Sequence, residues 1–238
     1  MDKLYIVIPA YNEEANIESV AREWHRIAVE AGESSQLLII DDGSKDSTYA
    51  KLKELKKELP QLEALTKSNS GHGATVLYAY RHALDKGADY IFQTDSDGQT
   101  LPSEFWPFWE NRKDFDLQIG LRKGRKDGIS RIFVTSVLRL VLFLQFRLWI
   151  ADANTPFRLM SAASLAGMLP RIPEGHNLSN VLLTVLYHID KMRIKFYPIT
   201  FRPRQGGANS INLRRIMKIG WKAIKDFSLL KKDLYPKA

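Results

Sequence analysis

The first half of the chain alternates short apolar runs with longer stretches in which apolar residues recur every three or four positions. Four short runs are bounded by turn-forming residues and predict strands at residues 4–8, 37–40, 62–65 and 90–94. A helix is predicted after each of the first three runs. The first is expected to be capped by Asn12, the second is highly charged and ends near residue 59, and the third opens at Gly71-His72-Gly73.

This order of elements predicts an α/β fold with a Rossmann-like, mostly parallel central sheet flanked by helices. Ligands bind such sheets beyond the carboxyl ends of the strands. The polar segments 11–13, 41–44 and 95–99 all follow predicted strands. The first half of the chain is therefore predicted to bind a ligand at that edge.

The second half has a less regular pattern. It predicts a strand at 116–121, an amphipathic helix within 132–151, a strand-bearing loop at 152–160, a helix at 178–189 and a last strand at 192–201. A basic helix is expected from about residue 211 to about residue 230. We therefore divide the chain into a domain at 1–210 and a basic amphipathic tail at 211–238.

The apolar segment 132–151 is the nearest approach to a membrane span, but Arg139, Gln145 and Arg147 interrupt it. Arg131 belongs to the same polar stripe, so the pattern indicates an amphipathic helix that is buried or lies at a membrane surface. The apolar run at residues 4–10 is followed by Tyr-Asn-Glu-Glu, which is unlike a signal peptide.

Charge changes this picture because it is unevenly distributed. The chain has 238 residues and a net charge of +8, and residues 202–238 contain ten Lys or Arg against two Asp or Glu. A neutral body with a basic, amphipathic tail argues against a nucleic-acid partner and suits binding to an anionic lipid surface. The alternative is a tail that packs on the domain and leaves its basic face in solvent. The absence of cysteine excludes disulfides, thiolate metal sites and a cysteine nucleophile.

The strongest chemical signal is Asp95-Ser96-Asp97, directly after the fourth predicted strand. Two carboxylates one residue apart can converge on a hard cation that also holds phosphate, and Gln99 offers a third oxygen. The spacing of Gly98 excludes a calcium-binding loop of the EF-hand type. A solvated acidic turn is the alternative interpretation.

Two further segments are candidates for nucleotide contacts. Asp41 and Asp42 follow a strand and can accept hydrogen bonds from a base or a ribose, whereas Asp46 and Ser47 are better explained as helix-capping residues. The glycines around His72 permit a close backbone approach to a phosphate at a helix start.

Taken together, Pro9 to Glu14, Asp41 to Thr48 and Asp95 to Gln99 resemble glycosyltransferase family 2, which has the GT-A fold. The likeness is closer to the dolichol-phosphate mannose synthase and polyprenyl-phosphate glycosyltransferase branch. It continues through Gly120-Leu121-Arg122, Asp152 with Phe157-Arg158, and Arg204-x-x-Gly207, to about residue 212.

The resemblance implies a role for each matching residue. The residues that would bind the nucleotide sugar are Pro9, Tyr11, Asn12, Glu13, Asp41, Asp42, Ser44, Gly73, Asp95 and Ser96. The ligands of Mg²⁺ or Mn²⁺ would be Asp95, Asp97 and Gln99, and the catalytic set would be Asp97, Arg122, Arg131 and Arg204. The arginines would bind phosphates, although the polar edge of its helix explains Arg131 equally well.

Two departures from the family pattern bear on the acceptor. Residues 174–180 lack the acidic pair that supplies a general base to a hydroxyl acceptor, and a phosphomonoester, already anionic near pH 7, needs no base. This favours a lipid-phosphate acceptor, with Glu174 and His176 as the candidate bases if the acceptor is a hydroxyl. Asn209-Ser210 replaces the usual Ser-Lys, which removes one phosphate-binding cation.

The predicted function is inverting, metal-dependent transfer from a nucleotide-diphosphate sugar to a polyprenyl or dolichyl phosphate. The enzyme is expected to be cytoplasmic and peripheral at the membrane, with no nucleic-acid partner. A soluble sugar or glycan acceptor is the first alternative. A nucleotidyltransferase would need a glycine-rich basic loop after the first strand, and a non-catalytic lipid- or nucleic-acid-binding module would leave the metal motif unexplained.

Overall fold

The computed structural model describes residues 2–123, 129–176, 178–202 and Phe227, with the backbone alone at 123 and 129–135. Within these residues, one sheet contains the strands β1 (Leu4–Ala10), β2 (Gln36–Asp41), β3 (Leu62–Thr66), β4 (Tyr90–Gln93), β5 (Leu117–Lys123), β6 (Arg158–Ser161) and β7 (Ile194–Thr200). The α-helices are α1 (Ile17–Ala31), α2 (Thr48–Glu58), α3 (His72–Asp85), α4 (Trp106–Glu110), α5 (Ile129–Phe146), α6 (Ala162–Met168) and α7 (Ser179–Ile189). Short 3₁₀ turns lie at Pro102–Phe105 and Leu169–Arg171.

The strands lie in the order β3-β2-β1-β4-β6-β5-β7. Pairing is parallel except at β6, which runs antiparallel to both β4 and β5. The two reversals cancel, so β5 and β7 point in the same direction as β1 to β4. The predicted mostly parallel sheet is confirmed, and the carboxyl ends of six strands share one edge with the start of β6.

The central strands are apolar without alternation because helices cover both faces of the sheet. All seven residues of β1 are buried, and five of the six in β2. An aromatic cluster packs around Phe92 of β4, whose ring centroid lies 4.7 Å from that of Phe157, 5.0 Å from Phe105 and 5.3 Å from Trp24. This cluster joins α1, the residue that precedes β6 and the turn at 102–105 to the middle of the sheet.

The predicted cap of the first helix is wrong, because α1 begins at Ile17 rather than after Asn12. Asn12 has a φ of 55° and bonds across to the loop after β2. Its side-chain oxygen accepts the N–H of Lys45 at 2.8 Å, and its own N–H donates to Ser44 Oγ at 2.9 Å. A long-range loop contact therefore replaces the local cap.

The amphipathic helix expected within 132–151 is present as α5, but it ends at Phe146, where Arg147 takes a φ of 59°. The basic helix expected near 211–230 lies outside the described residues, apart from Phe227. Among the helices that the structure describes, none is both long and apolar enough to cross a bilayer.

Two compact units are distinguished by their internal contacts. The first contains Met1–Gly124 and Asn154–Gly207, and the second contains Arg125–Ala153 and Ala208–Ala238. We call them the sheet unit and the basic unit. The domain boundary predicted at residue 210 falls outside the described residues and stays a prediction.

Replacing Phe92 by Ala is expected to lower the free energy of unfolding by about 3–5 kcal/mol, because it leaves a cavity at the centre of the aromatic cluster. The measurement is urea unfolding followed by circular dichroism. Val29 on α1 is 48% exposed, so Val29→Ala is the control and should stay within about 0.5 kcal/mol. A loss of stability no larger than the control's would contradict the central position assigned to Phe92.

Candidate active site

The carboxyl edge of the sheet brings together the loops after β1, β2 and β4. Ala10 at the end of β1 lies opposite Asp41 at the end of β2, and Asp41 lies opposite Thr66 of β3. Gln93 ends β4, two residues before Asp95. The three polar segments identified in the sequence therefore lie at one edge, as the parallel arrangement predicts.

Asp41 fixes the turn after β2. It is buried, and its carboxylate accepts the backbone N–H of Ser44 at 3.3 Å and the hydroxyl of Thr66 at 2.7 Å. Both hydrogen bonds join Asp41 to other residues of the same protein. The structure thus gives Asp41 a role in shaping the loop that carries Asp42 and Ser44.

Asp42 organises the loop that leads into α3. Its carboxylate accepts the backbone N–H groups of Ser70 and Gly71, both at 2.9 Å, and pairs with the ammonium group of Lys67. Burial alone would raise the pKa of Asp42, but the hydrogen bonds from Lys67 and Ser70 outweigh burial and lower the pKa below its usual value. The carboxylate is therefore ionised at neutral pH.

Gly43 permits this close approach of the two loops. Its φ is 68°, and a Cβ atom at this position would lie 2.9 Å from the backbone nitrogen of Asn69 and 3.0 Å from the carbonyl oxygen of Lys67. Both neighbours are backbone atoms, which cannot move aside cheaply. A side chain at position 43 would separate the two loops on which the candidate nucleotide contacts depend.

The loop after β1 is held against the loop after β2. Glu13 is buried, its N–H donates to the hydroxyl of Thr48 at 2.8 Å, and its carboxylate accepts the side chain of Asn16 at 2.9 Å. Pro9 is buried within β1. The ring of Tyr11 remains 43% exposed, so it is the aromatic surface that this loop presents at the edge.

Asp95 and Asp97 flank the buried Ser96 in a tight turn after β4. Gly98 has a φ of 70°, and the N–H of Gln99 donates to Asp97 Oδ1 at 3.1 Å. Nε2 of His72 lies 3.8 Å from Asp95 Oδ1, which places the first turn of α3, with Gly73, beside the acidic motif.

The donor set at this turn fits a metal that shares its coordination with a substrate. No group of three or more His, Cys, Asp or Glu arranged to hold a metal occurs among the described residues. Asp95 and Asp97 supply two carboxylates, and Gln99 supplies an amide group. Mg²⁺ binds in this way, through one or two carboxylates and the oxygens of a phosphate.

Gln99 also connects the acidic turn to the chain after β7. Its side-chain Nε2 donates to the backbone carbonyl oxygen of Arg202 at 2.9 Å, and its backbone carbonyl oxygen accepts the N–H of Arg202 at 2.8 Å. Just before this point, the carboxylate of Glu104 accepts the N–H of Thr200 at 2.9 and 3.0 Å. These bonds bring the segment that leads to position 204 up to the candidate metal site.

The predicted catalytic arginines are only partly described. Arg122 lies near the end of β5, and its guanidinium carbon is 5.3 Å from the ring centroid of Phe201. The side chain of Arg131 and the whole of Arg204 lie outside the described residues. Their contacts with phosphate stay a prediction.

A buried arginine, Arg158, links several segments at the same edge of the sheet. Arg158 starts β6 opposite Gln93, and its guanidinium donates to the carbonyl oxygens of Thr155, at 2.7 and 3.0 Å, and of Asn180, at 3.0 Å. It thereby ties the loop before β6 and the start of α7 to the end of β4. The sequence pointed to Arg158 only through the family resemblance, because its partners are backbone carbonyl groups.

The two candidate bases lie near the start of α7 in different surroundings. The side chain of Glu174 is 89% exposed, and its Oε1 lies 4.0 Å from Nη1 of Arg81. His176 is buried, and its Nδ1 accepts the N–H of Leu178 at 3.1 Å. This bond places the proton of a neutral imidazole on Nε2, which favours a structural role at the helix start over that of a base.

Comparison with known proteins identifies relatives along most of the chain. The family model "Glycosyl transferase family 2" matches residues 5–159. The undecaprenyl-phosphate 4-deoxy-4-formamido-L-arabinose transferases of Salmonella paratyphi B and Salmonella newport are each 27% identical over 221 residues. These alignments cover 91% of this chain and 65% of the relatives, so the chain spans somewhat less than two thirds of their length.

Two solved structures are similar over almost the whole chain. The glucosyl-3-phosphoglycerate synthase of Mycobacterium tuberculosis, in complex with Mn²⁺, uridine diphosphate and phosphoglyceric acid, has a TM-score of 0.69 and 18% identity, covering 97% of this chain and 78% of that one. The mannosyl-3-phosphoglycerate synthase of Rubrobacter xylanophilus has a TM-score of 0.74 and 13% identity, covering 99% and 76%. At these identities the likeness shows a common fold.

Replacing Gln99 by Leu is expected to loosen the chain after β7 without unfolding the sheet. Loss of a hydrogen bond worth about 1 kcal/mol should raise amide exchange at Thr200 to Arg202 roughly three- to tenfold. Hydrogen–deuterium exchange with mass spectrometry measures this, and peptides from α1 serve as the internal reference. Unchanged exchange at 200–202 would show that the Gln99 side chain does not hold this segment.

Proposed function

The chain belongs to glycosyl transferase family 2, and on that basis we propose that the carboxyl-edge site transfers a sugar from a nucleotide-diphosphate sugar to a polyprenyl phosphate. The observation that carries the proposal is the position of Asp95 and Asp97, which lie at the same sheet edge as the loops at 11–13 and 41–44. This arrangement provides acidic ligands for a metal–diphosphate group and a separate polar surface for the nucleoside. The enzyme is a glycosyltransferase with the GT-A fold.

The nucleoside is proposed to lie against the loops after β1 and β2. Tyr11 offers an exposed ring on which a base can stack, and Asp42 offers an ionised carboxylate. Because Asp42 already accepts hydrogen bonds from Lys67, Ser70 and Gly71, a base or ribose that contacts it must displace one of these donors or share an oxygen with it. Nucleotide binding would therefore be coupled to the loop that leads into α3.

Asp95, Asp97 and Gln99 are proposed to hold Mg²⁺ or Mn²⁺ together with the donor diphosphate. The metal ion, when bound, neutralises negative charge that develops on the leaving diphosphate. The structure of the Mycobacterium tuberculosis synthase contains both Mn²⁺ and uridine diphosphate, which supports this cofactor class. Arg122, and with it Arg131 and Arg204, would bind phosphate oxygens of the donor or the acceptor.

A phosphate acceptor fits the surroundings of α7. Glu174 is largely solvated, and Nδ1 of His176 is occupied by a backbone N–H. An acceptor phosphate, with its second pKa at ~6, is already a nucleophile at neutral pH and requires neither residue as a base. One of its oxygens would form the bond to the anomeric carbon as the bond to the nucleotide diphosphate breaks, with inversion at that carbon.

The lipid part of the acceptor is supported by the Salmonella relatives, whose names specify undecaprenyl phosphate. A lipid acceptor places the enzyme at a membrane surface, and we propose peripheral association with the cytoplasmic face and no nucleic-acid partner. The second candidate is a soluble acceptor. It is favoured by the phosphoglyceric acid in the Mycobacterium tuberculosis complex.

Replacing Asp95 by Asn is expected to reduce sugar transfer at least a hundredfold, because the metal–diphosphate group loses a charged ligand while the turn keeps its shape. The first measurement is a thermal-shift panel of nucleotide sugars with Mn²⁺, which identifies the donor, followed by transfer assays with that donor. Asp85→Asn, at the exposed end of α3, is the matched control and should transfer normally. Full activity of Asp95→Asn with saturating metal would overturn the proposed site.

Transfer is expected with a polyprenyl phosphate and not with the corresponding polyprenol, because a free hydroxyl lacks the charge that makes the phosphate nucleophilic. Thin-layer chromatography of products formed from radiolabelled donor distinguishes the two. Soluble sugars and 3-phosphoglycerate form the comparison set. Transfer to one of these, with none to the polyprenyl phosphate, would establish the soluble-acceptor function instead.

A further inference from the structure

Several large apolar side chains are exposed on one side of α5 and on the segment that follows it. Trp149 is 68% exposed, Leu144 61% and Leu140 53%. Val137 and Phe143 are also exposed, and residues 137, 140 and 144 recur at helical spacing on one side of α5. We call Val137, Leu140, Phe143, Leu144 and Trp149 the apolar face. It contains five of the eight large hydrophobic side chains that are exposed among the described residues, so it is a patch rather than scattered exposure.

Two arginines hold the aromatic rings of this face. The guanidinium of Arg139 lies 5.5 Å from the ring centroid of Trp149, and its Nη2 donates to the carbonyl oxygen of Ala151 at 2.6 Å. The guanidinium of Arg147 lies 5.8 Å from the ring of Phe143, and the rings of Phe143 and Trp149 meet edge to face at 6.0 Å. These contacts hold the two rings in place although both are exposed, and a guanidinium group lies beside each ring.

The opposite side of α5 is already covered. Leu142 and Phe146 are buried, and the ring of Phe146 lies 6.1 Å from that of Phe227. The helix therefore has a packed side, which includes a contact with Phe227, and a bare side, whose described side chains are exposed. The described contact of the C-terminal segment with α5 lies on the packed side.

The charge of the basic unit identifies the kind of surface that the bare side fits. From Ser136 to Ala151 there is no Asp or Glu. The basic unit as a whole contains 13 Lys or Arg and 4 Asp or Glu, a net charge of +9, whereas the sheet unit has a net charge of −1. An apolar face that carries arginines and no acidic residue, in a unit of positive net charge, is complementary to a layer that is apolar inside and anionic at its surface.

We propose that the apolar face is a docking surface for an anionic bilayer. Trp149, Phe143 and Leu144 enter the interfacial layer, where an indole ring is well accommodated, and the exposed Arg147 meets lipid phosphates. The proposal rests on the proposed function in one respect, namely that a lipid-borne acceptor requires the enzyme to reach a bilayer. It adds the surface that makes the contact.

The test is flotation of the full chain with phosphatidylcholine vesicles, with and without phosphatidylglycerol. Wild type is expected to float with the anionic vesicles. The double variant Leu144→Ser/Trp149→Ser should partition at least tenfold less, and Arg147→Gln should lose part of the dependence on phosphatidylglycerol. Val29→Ser/Tyr78→Ser removes two exposed apolar side chains from the sheet unit and should float within twofold of wild type.

Two results would overturn the docking surface. One is flotation of Leu144→Ser/Trp149→Ser at the wild-type level, and the other is failure of wild type to float. If wild type instead forms a dimer in analytical ultracentrifugation that this variant dissociates, the face binds a second copy of the chain. Equal thermal unfolding of variant and wild type is required, so that loss of binding does not merely reflect loss of the fold.

Activity with a short, water-soluble prenyl phosphate separates this proposal from the proposed function. Leu144→Ser/Trp149→Ser is expected to keep wild-type transfer to such an acceptor, while its transfer to undecaprenyl phosphate in vesicles falls. Flotation without transfer to either acceptor would leave the docking surface standing and remove the acceptor assignment. Transfer without flotation would leave the acceptor assignment standing and remove the docking surface.

Discussion

Strand direction is the constraint on which the candidate site depends. β6 is antiparallel to both β4 and β5, so the two reversals cancel and the carboxyl ends of β1, β2, β4, β5 and β7 all point to one edge. The loops after β1, β2 and β4 lie at this edge, and the chain after β7 reaches it through Gln99. Each loop needs only a few residues to reach the site, since the sheet supplies the alignment. If β6 were antiparallel to only one of these two neighbours, the end of β5 and the chain after β7, with Arg122 and Arg202, would lie at the edge opposite the acidic turn.

The loops at this edge are shaped by polar contacts between segments distant in sequence. Asp42 holds residues 67–71, Thr48 and Ser44 hold the loop after β1, and Gln99 holds Arg202, 103 positions away. Each bond contributes only about 1 kcal/mol. Together they give the edge one geometry before a substrate arrives, which lowers the cost of ordering the site on binding.

Sequence patterns predicted most of the sheet because burial on both faces leaves a direct mark, namely continuous apolar runs such as Leu4–Ala10. The position of β6 could not be predicted, because no local signal specifies which strand is its neighbour. Asn12 was wrongly predicted to cap a helix because its bonds to Ser44 and Lys45 are non-local. The contacts of Lys67 and Arg158 were missed for the same reason, whereas Asp95, Asp97 and Asp42 were identifiable because acidic residues directly after strands are a local signal.

The two units differ in charge in a way that follows from what each is proposed to bind. A site that holds a metal ion through carboxylates must keep a cluster of negative charge, and the sheet unit that contains it is nearly neutral overall. A surface that meets anionic lipid needs excess positive charge, and that excess lies in the basic unit. Placing the positive charge in a separate unit, built from 125–153 and 208–238, allows both requirements to be met by one chain. The overall charge of +8 is therefore compatible with an acidic motif in the sheet unit, because the excess positive charge lies in the basic unit.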